Sequence, residues 1–331
     1  MGVRVRAALS ALVVLSVVCV QGFLGSAAKA ANAITLNSVV GADVDYNNQP
    51  QSEFDMTPTI ALTLAQGQTH YMKASLTFSN PNNRSDVVTR MRCTGPDGQY
   101  QQLEHGGNDS AGAQFTVTSR LLVTATTTGT YTCQASAFIN TLCNPPGFSG
   151  ACTANPATIG SITGTIQDVA TVVGDQMQLQ AFQNTNLLGG SGQPTRVPAV
   201  NAPLSAVVGP TFDAHADVQI SDCYQINTGQ GCTSTASAGQ TTINYELIVN
   251  QLDSTGHLCS GGQSTVTQSG YVINSTRHHD VVYPQILQIA LLPTCVSTIQ
   301  AYLLVTWSAG DPFTIDGPGP ESDVWLLPTS L

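Results

Sequence analysis

Thr127-Thr-Gly129-Thr-Tyr131-Thr-Cys133 ends the stretch that decides the fold, and this stretch begins at Cys93. Successive residues of a strand point to opposite faces of a sheet. This alternation puts Tyr131 and Cys133 on one face and the threonines between them on the other. The strand that leads to Cys93 alternates in the same way, with Arg90 and Arg92 on its polar face. Two half-apolar strands with inward cysteines predict a β-sandwich whose two sheets are bridged through the core by a disulfide.

The motif Gly129-x-Tyr131-x-Cys133 resembles the end of strand F in immunoglobulin-like domains. In that family the tyrosine two residues before the second cysteine turns its hydroxyl back onto the main chain, which is called the tyrosine corner. The core tryptophan of the family is missing after Cys93, so the resemblance implies that Tyr100 or Leu103 fills its space. The resemblance covers roughly 100 residues. It implies no function, because this fold hosts many functions.

A fainter second copy of the pattern lies in the second half of the chain. Cys93-Thr-Gly95 matches Cys259-Ser-Gly261, and Cys133 matches Cys295. Alternating and β-branched runs dominate both halves, which favours strands over helices. We therefore predict an all-β protein with two immunoglobulin-like antiparallel β-sandwiches joined by a Gly/Pro linker.

The composition also predicts where the domains divide. The run from Leu188 to Asn201 is dense in Gly, Ser and Pro, which is typical of a linker. The predicted division is a signal peptide at 1–33, a first domain at 34–187, a linker at 188–203 and a degenerate second domain at 204–331.

The N-terminus has the three parts of a secretory signal peptide. Arg4 and Arg6 precede an apolar run over 7–20, and small residues fitting an A-x-A cleavage site follow it. A membrane anchor is the alternative, but the apolar run is shorter than the ~20 residues of a spanning helix. We predict a secreted, extracellular protein that has no membrane span after cleavage.

The charge of the chain restricts its partners. The formal net charge is −10 and only 9% of the residues are charged. Lys73 is the one lysine that follows the predicted leader. Nucleic acid is disfavoured, because phosphate binding needs a basic patch. The expected partner is an unknown protein or a glycan.

The cysteine count predicts disulfides. Of nine cysteines, Cys19 lies in the leader, and an even number remains for an oxidising compartment. A zinc site is the alternative, but structural zinc prefers pairs that are closer in sequence. The spacing favours the pairs Cys93–Cys133, Cys143–Cys152, Cys223–Cys232 and Cys259–Cys295.

The loop between Cys143 and Cys152 is the predicted binding site. A disulfide and two prolines would hold this loop in one shape, and a pre-ordered loop loses less entropy on binding. Phe148 at its tip would be an exposed apolar anchor. The alternative is a stapled hairpin in which Phe148 packs onto the sheet. The predicted binding residues are Pro145, Pro146, Gly147 and Phe148.

Three polar clusters are candidate metal sites. Asp213, His215 and Asp217 share one face of a strand, but alternate strand residues lie ~6.5–7 Å apart, which favours a solvated strand face. His278-His279-Asp280 points to opposite faces and favours a polar edge strand. The third cluster is mildly acidic, lacks the EF-hand spacing and consists of Asp43, Asp45, Glu53 and Asp55.

The sequence contains no nucleophile elbow, zinc-protease motif, phosphate loop or dinucleotide fingerprint. We therefore predict no catalytic residue, no cofactor and no metal, and a non-catalytic binding or structural module. Scattered residues can still assemble a triad. The alternatives are thus a carbohydrate-binding accessory module, which its 6% of aromatic residues disfavours, and an unrecognised secreted hydrolase or metalloenzyme.

Overall fold

A computed structural model describes most of the chain, and within that part the protein is all-β apart from one turn of 3₁₀ helix at Leu204–Ala206. The described residues are 33–36, 44–45, 53–55, 59–79, 85–109, 114–141, 161–172, 179–207, 209–223, 239–274, 279–317 and 322–328. The all-β prediction is confirmed.

The strands fall into two groups along the chain. The first group is β1 (Ala33–Leu36), β2 (Val44–Asp45), β3 (Glu53–Asp55), β4 (Ile60–Leu64), β5 (Thr69–Ser79), β6 (Ser85–Gly95), β7 (Gly98–Asp109), β8 (Gln114–Thr124), β9 (Gly129–Thr141) and β10 (Ser161–Val172). The second group is β11 (Leu179–Phe182), β12 (Leu187–Gly189), β13 (Pro194–Arg196), β14 (Val200–Pro203), β15 (Thr211–Asp222), β16 (Gln240–Leu252), β17 (Leu258–Asn274), β18 (His279–Val282), β19 (Gln285–Ala290), β20 (Thr298–Gly310), β21 (Phe313–Ile315) and β22 (Ser322–Pro328).

These strands form four sheets. Sheet A has the order β1-β10-β5-β8, and sheet B has the order β2-β9-β6-β7 with β3 and β4 also on β9. Sheet C runs β11-β22-β15-β21-β12 with β18 and β19 also on β15, and sheet D runs β13-β20-β16-β17 with β14 also on β20. The pairings are antiparallel except for β2 with β9.

Sheets A and B enclose one core. In β4 the side chains alternate buried and exposed, as a strand with one apolar face should. Its inward residues meet Met72 of β5, Leu121 of β8 and Met91 of β6. The first sandwich is therefore built from the alternation that the sequence shows.

Sheets C and D enclose the second core. Phe212, Val218 and Ile220 point from β15 toward Leu247 of β16 and Leu303 of β20. The central strands β15, β16 and β20 each present one apolar face to this core, and the opposite faces carry most of their polar residues.

The tyrosine corner implied by the resemblance is present. The Tyr131 hydroxyl lies 2.8 Å from the main-chain oxygen of Thr127 and 2.6 Å from Asp97 Oδ2. The same carboxylate oxygen accepts a bond from the Thr126 amide at 2.6 Å and lies 2.9 Å from the Tyr100 hydroxyl. These hydrogen bonds hold the pKa of Asp97 well below its usual range, although partial burial opposes them. Tyr100 packs against this core. The side chain of Leu103, the other residue that the resemblance proposed for the space of the tryptophan, is not described.

The disulfide Cys93–Cys133 is present, but it does not bridge two sheets. Cys93 lies directly opposite Cys133 on the neighbouring strands β6 and β9 of sheet B, with their Cα atoms 4.0 Å apart. The bridge through the core between two sheets is therefore wrong. Both side chains point inward as predicted, but alternation gives the face of a residue and not the sheet to which it belongs.

A second predicted disulfide, Cys259–Cys295, joins the start of β17 to the turn after β19, with a Cα separation of 6.0 Å. Cys223 is also disulfide-bonded. Its predicted partner Cys232 lies outside the described residues, and so does the pair Cys143–Cys152.

The stretch 188–203, for which the composition predicts a linker, contributes strands to the second sandwich. β12 pairs with β21, and both β13 and β14 pair with β20. β11 also belongs to this sandwich, because it pairs with β22. The division into two domains stays a prediction, and these pairings move the proposed boundary to a point before Leu179.

Candidate functional site

The outward face of β15 carries the polar residues that the sequence singled out. Asp213, His215 and Asp217 share this face, as predicted, while Ala214 and Ala216 lie in the core between sheets C and D. The predicted solvation of the face is wrong, because the Asp217 side chain is only 1% exposed. Another part of the protein covers this face.

Sheet A covers it. Tyr71 of β5 and Leu122 of β8 point away from their own core and pack against Trp325 and Leu327 of β22. The rings of Tyr71 and Trp325 meet edge to face with centroids 6.3 Å apart. The main-chain amide of Thr118 adds a 3.4 Å contact to the Tyr283 hydroxyl. The sheets therefore stack in the order B, A, C and D, and the contact between A and C is an interface of the two sandwiches.

An ion pair lies inside this interface. Arg120 Nη1 of β8 donates to Asp217 Oδ2 of β15, and both side chains are almost fully buried. Burial raises the pKa of Asp217, and the Arg120 guanidinium opposes that rise. Burial also lowers the pKa of the nearby Lys73 ammonium. Because opposite charges are desolvated together here, the pair links the sandwiches only as long as both partners are present.

His215 is held neutral beside this pair. Burial lowers the pKa of His215 to about 3, and the positive charges of Arg120 and Lys73 act in the same direction. The Tyr71 phenol stays protonated, because burial raises its pKa far above the usual value. Arg120 and Asp217 therefore form one ion pair, His215 and Tyr71 are neutral beside it, and Lys73 lies near the pair. These groups make a structural contact between the two sheets.

Asp213 has a different role from its neighbours on the same face. Its Oδ1 accepts a 2.7 Å hydrogen bond from the main-chain amide of Gln288 in β19. Gln288 has a φ of 55°, and the register between β15 and β19 shifts at this position. Asp213 thus fixes a β-bulge, and it belongs to no set of ligands with Asp217.

Sequence reasoning missed the pair Asp222 and Asp311 at the end of β15. The Thr241 hydroxyl lies 2.8 Å from Asp222 Oδ1 and 2.8 Å from the main-chain oxygen of Asp311. Burial raises the pKa of Asp222 to about 7, and the charge of Asp311 adds to the rise. No motif marks this pair, because the two acids are far apart in sequence and only the sandwich brings them together.

The pH dependence of stability tests the contrast between His215 and Asp222. The folded pKa of His215 is about 3 against 6.5 ordinarily, so its contribution to stability is lost as the pH falls below about 6.5. The folded pKa of Asp222 is about 7 against 3.8, so the unfolding free energy rises as the pH falls from about 7 toward 4. Each slope is at most about 1.4 kcal/mol per pH unit.

Denaturant melts between pH 4.5 and 7.5 separate the two groups. We expect Asp222→Asn to lose stability more steeply than the wild type toward acid, because the rise that Asp222 contributes no longer offsets the loss from His215. His215→Gln is expected to gain stability toward acid relative to the wild type. Identical pH profiles for the three proteins would contradict both assignments.

The remaining predicted sites are only partly described. Asp280 Oδ2 accepts a 2.7 Å hydrogen bond from the Tyr271 hydroxyl, and β18 lies at an edge of sheet C as the sequence predicted. Three of the predicted features lie outside the described residues. They are the predicted binding loop at 145–148, His278 and the side chains of the N-terminal acidic cluster. Within the described part, no three His, Cys, Asp or Glu side chains are grouped to hold a metal. No helix there has the length and apolar character needed to cross a membrane.

The chain matches no family model and no curated protein. Solved structures that resemble it include the N-terminal CBM22-1–CBM22-2 tandem domain of Paenibacillus barcinonensis Xyn10C, at 11% identity and a TM-score of 0.28, over 90% of this chain and 92% of that one. A Parabacteroides distasonis protein described as secreted matches at 7% identity and a TM-score of 0.20, over 90% of each chain.

A triple jelly roll protein from the turret of an archaeal virus matches at 12% identity and a TM-score of 0.21, over 85% of this chain and 60% of that one. Identities and TM-scores this low carry no argument about function.

Proposed function

We propose that the protein is an exported, non-catalytic binding or structural module that acts at the cell surface or outside the cell. The observation that carries the proposal is the sealed interface between the sandwiches. The charged side chains of Arg120 and Asp217 are buried in this interface, where they join sheets A and C. A substrate could not reach these side chains without separating the sheets, whereas the outer faces of the sandwiches remain open to partners.

The outward face of sheet D supports a second candidate, a carbohydrate-binding accessory module. The Arg196 guanidinium lies 3.9 Å from the centre of the Tyr302 ring on this face. Amide side chains flank it, with Gln300 bonded to Asn201 and Gln263 bonded to Asn250, each at 3.0 Å. An aromatic ring among a few placed amides is a usual way to bind a polar organic ligand. The ring is half-buried and Arg196 lies over one of its faces, so a sugar would stack on the ring only by displacing the guanidinium, and the site would not wrap a chain.

One experiment with two arms distinguishes the candidates. The exported chain is applied to a glycan array and, separately, to a surface extract of its own cells. If the sheet D face binds sugar, Tyr302→Ala should weaken array binding at least about tenfold, whereas Tyr302→Phe, which keeps the ring, should not. If the predicted Pro145–Phe148 loop binds a protein, Phe148→Ala should weaken capture from the extract instead.

The outcome that contradicts the non-catalytic proposal is also measurable. Metal analysis of the purified chain and a broad hydrolase substrate screen address the enzyme alternative directly. Turnover in the screen that survives mutation of Tyr302 and Phe148 would identify a catalytic centre elsewhere and would overturn the proposal.

A further inference from the structure

The strand β17 has an unusual edge. It is 17 residues long and stands at the end of sheet D, and within the described part of the chain it pairs with β16 alone. Side chains from Thr265 to Gly270 are exposed on both faces of the strand, including Val266 at 36%. Within the described part of the chain, the outer rim of residues 263–268 is therefore a row of main-chain donors and acceptors that no other strand pairs with.

Most of the usual protection of such an edge is missing from this strand. Natural edge strands are blunted by charged side chains, prolines, short length or bulges. The run Leu258–Asn274 contains no charged residue and no proline. Gly261 and Gly270, both with left-handed φ values of 72° and 68°, mark irregular ends. Between them the ladder with β16 is regular from Gln263 to Gln268.

The regular segment is self-complementary. Two copies that share one continuous sheet must pair residues lying on the same face. A two-fold axis between the strands therefore has to pass midway between one residue and its own copy in the other chain. An axis at Val266 puts Val266 against its own copy and Thr265 against Thr267. It also puts Ser264 against Gln268. Pairs of β-branched or hydroxyl side chains that lie opposite each other on the same face of a sheet stabilise antiparallel strands.

The chain already uses such pairs within itself. On the outward face of sheet A the hydroxyls of Ser75 and Thr118 lie 3.1 Å apart, and those of Thr77 and Thr116 lie 2.8 Å apart. The strand β17 carries no charged residue, whereas the whole chain has a net charge of −10. Electrostatic repulsion between two copies is therefore weak when they meet at this strand. We propose that two copies of this protein associate through antiparallel pairing of their β17 edges, centred on Val266, so that sheet D continues from one copy into the other.

Sedimentation of the exported chain between about 1 and 300 µM tests the proposal, because an edge contact is small and its dimer is expected to be weak. We expect reversible dimerisation in the wild type. Val266→Lys sets two positive charges against each other at the axis and should weaken the dimer at least about tenfold. Val272→Lys is the control, since Val272 is exposed on the same strand, at 45% against 36% for Val266, but lies beyond Gly270. It should leave the dimer unchanged, and thermal melts of both variants show whether they fold.

A cross-link tests the register. Residues at the axis of an antiparallel pair lie ~4.5–5.5 Å apart, within the span of a disulfide. Val266→Cys should therefore give a covalent dimer on mild oxidation, and Val272→Cys should not. A wild type that stays monomeric throughout the range, or a dimer that both lysine variants leave intact, would overturn the proposal. Capture of an extended peptide by a monomeric wild type would also overturn it, in favour of a foreign strand.

Discussion

Replacement of Arg120 with alanine is expected to lower the free energy of unfolding by about 3–5 kcal/mol. The guanidinium donates to Asp217 inside the interface, where both side chains are nearly inaccessible to water. Without Arg120 the carboxylate must stay buried without its partner or take up a proton, and either costs stability. Urea unfolding at pH 7 measures the change.

Two controls distinguish the loss of the ion pair from other effects of the substitution on stability. Arg92→Ala removes an arginine from the outward face of sheet B, where it is half-buried and 3.3 Å from Gln134 Oε1, and should cost no more than about 1 kcal/mol. Replacing the pair together, Arg120→Met with Asp217→Leu, should recover most of the lost stability, because no charge then remains to be desolvated. If Arg120→Ala costs no more than Arg92→Ala, sheets A and C are not in dry contact.

The burial of this pair explains why the sequence could not reveal the interface. Alternation correctly put Asp213, His215 and Asp217 on one face, because that depends only on neighbours along the strand. What covers the face depends on sheet A, whose contributing residue Arg120 is 97 positions away from Asp217. A polar face buried against another polar face has the same sequence pattern as a solvated one.

The Gly-rich stretch 188–203 predicted a linker but contains strands, for a different reason. A Cβ on Gly189 would lie 2.1 Å from the Phe313 ring, so glycine is needed there for close packing between β12 and β21. Gly190 has a φ of 144°, which disfavours other residues. Composition alone cannot separate glycine that allows close approach from glycine that makes a linker flexible. The tyrosine corner was predictable because its partners, Tyr131 and Thr127, are local in sequence.

The proposed boundary before Leu179 leads to the second prediction, which concerns fragments of the chain. A fragment 179–331 is expected to melt cooperatively by itself, whereas 204–331, which begins after the predicted linker, is not. The shorter fragment lacks β11 to β14 and with them three residues of the second core, Val197, Val200 and Ala202. Full burial of one valine is worth about 1.5 kcal/mol or more.

The deletion removes more than these side chains. It also uncovers Phe313, which packs against Gly189, and unpairs parts of β20, β21 and β22. The sum is comparable with the whole stability of an ordinary domain, about 5–15 kcal/mol. Calorimetry of both fragments gives the result. If the two fragments melt at the same temperature and with the same cooperativity, β11 to β14 only border the second sandwich. If only the fragment 179–331 melts cooperatively, these strands are part of the second core and the boundary between the two units lies before Leu179.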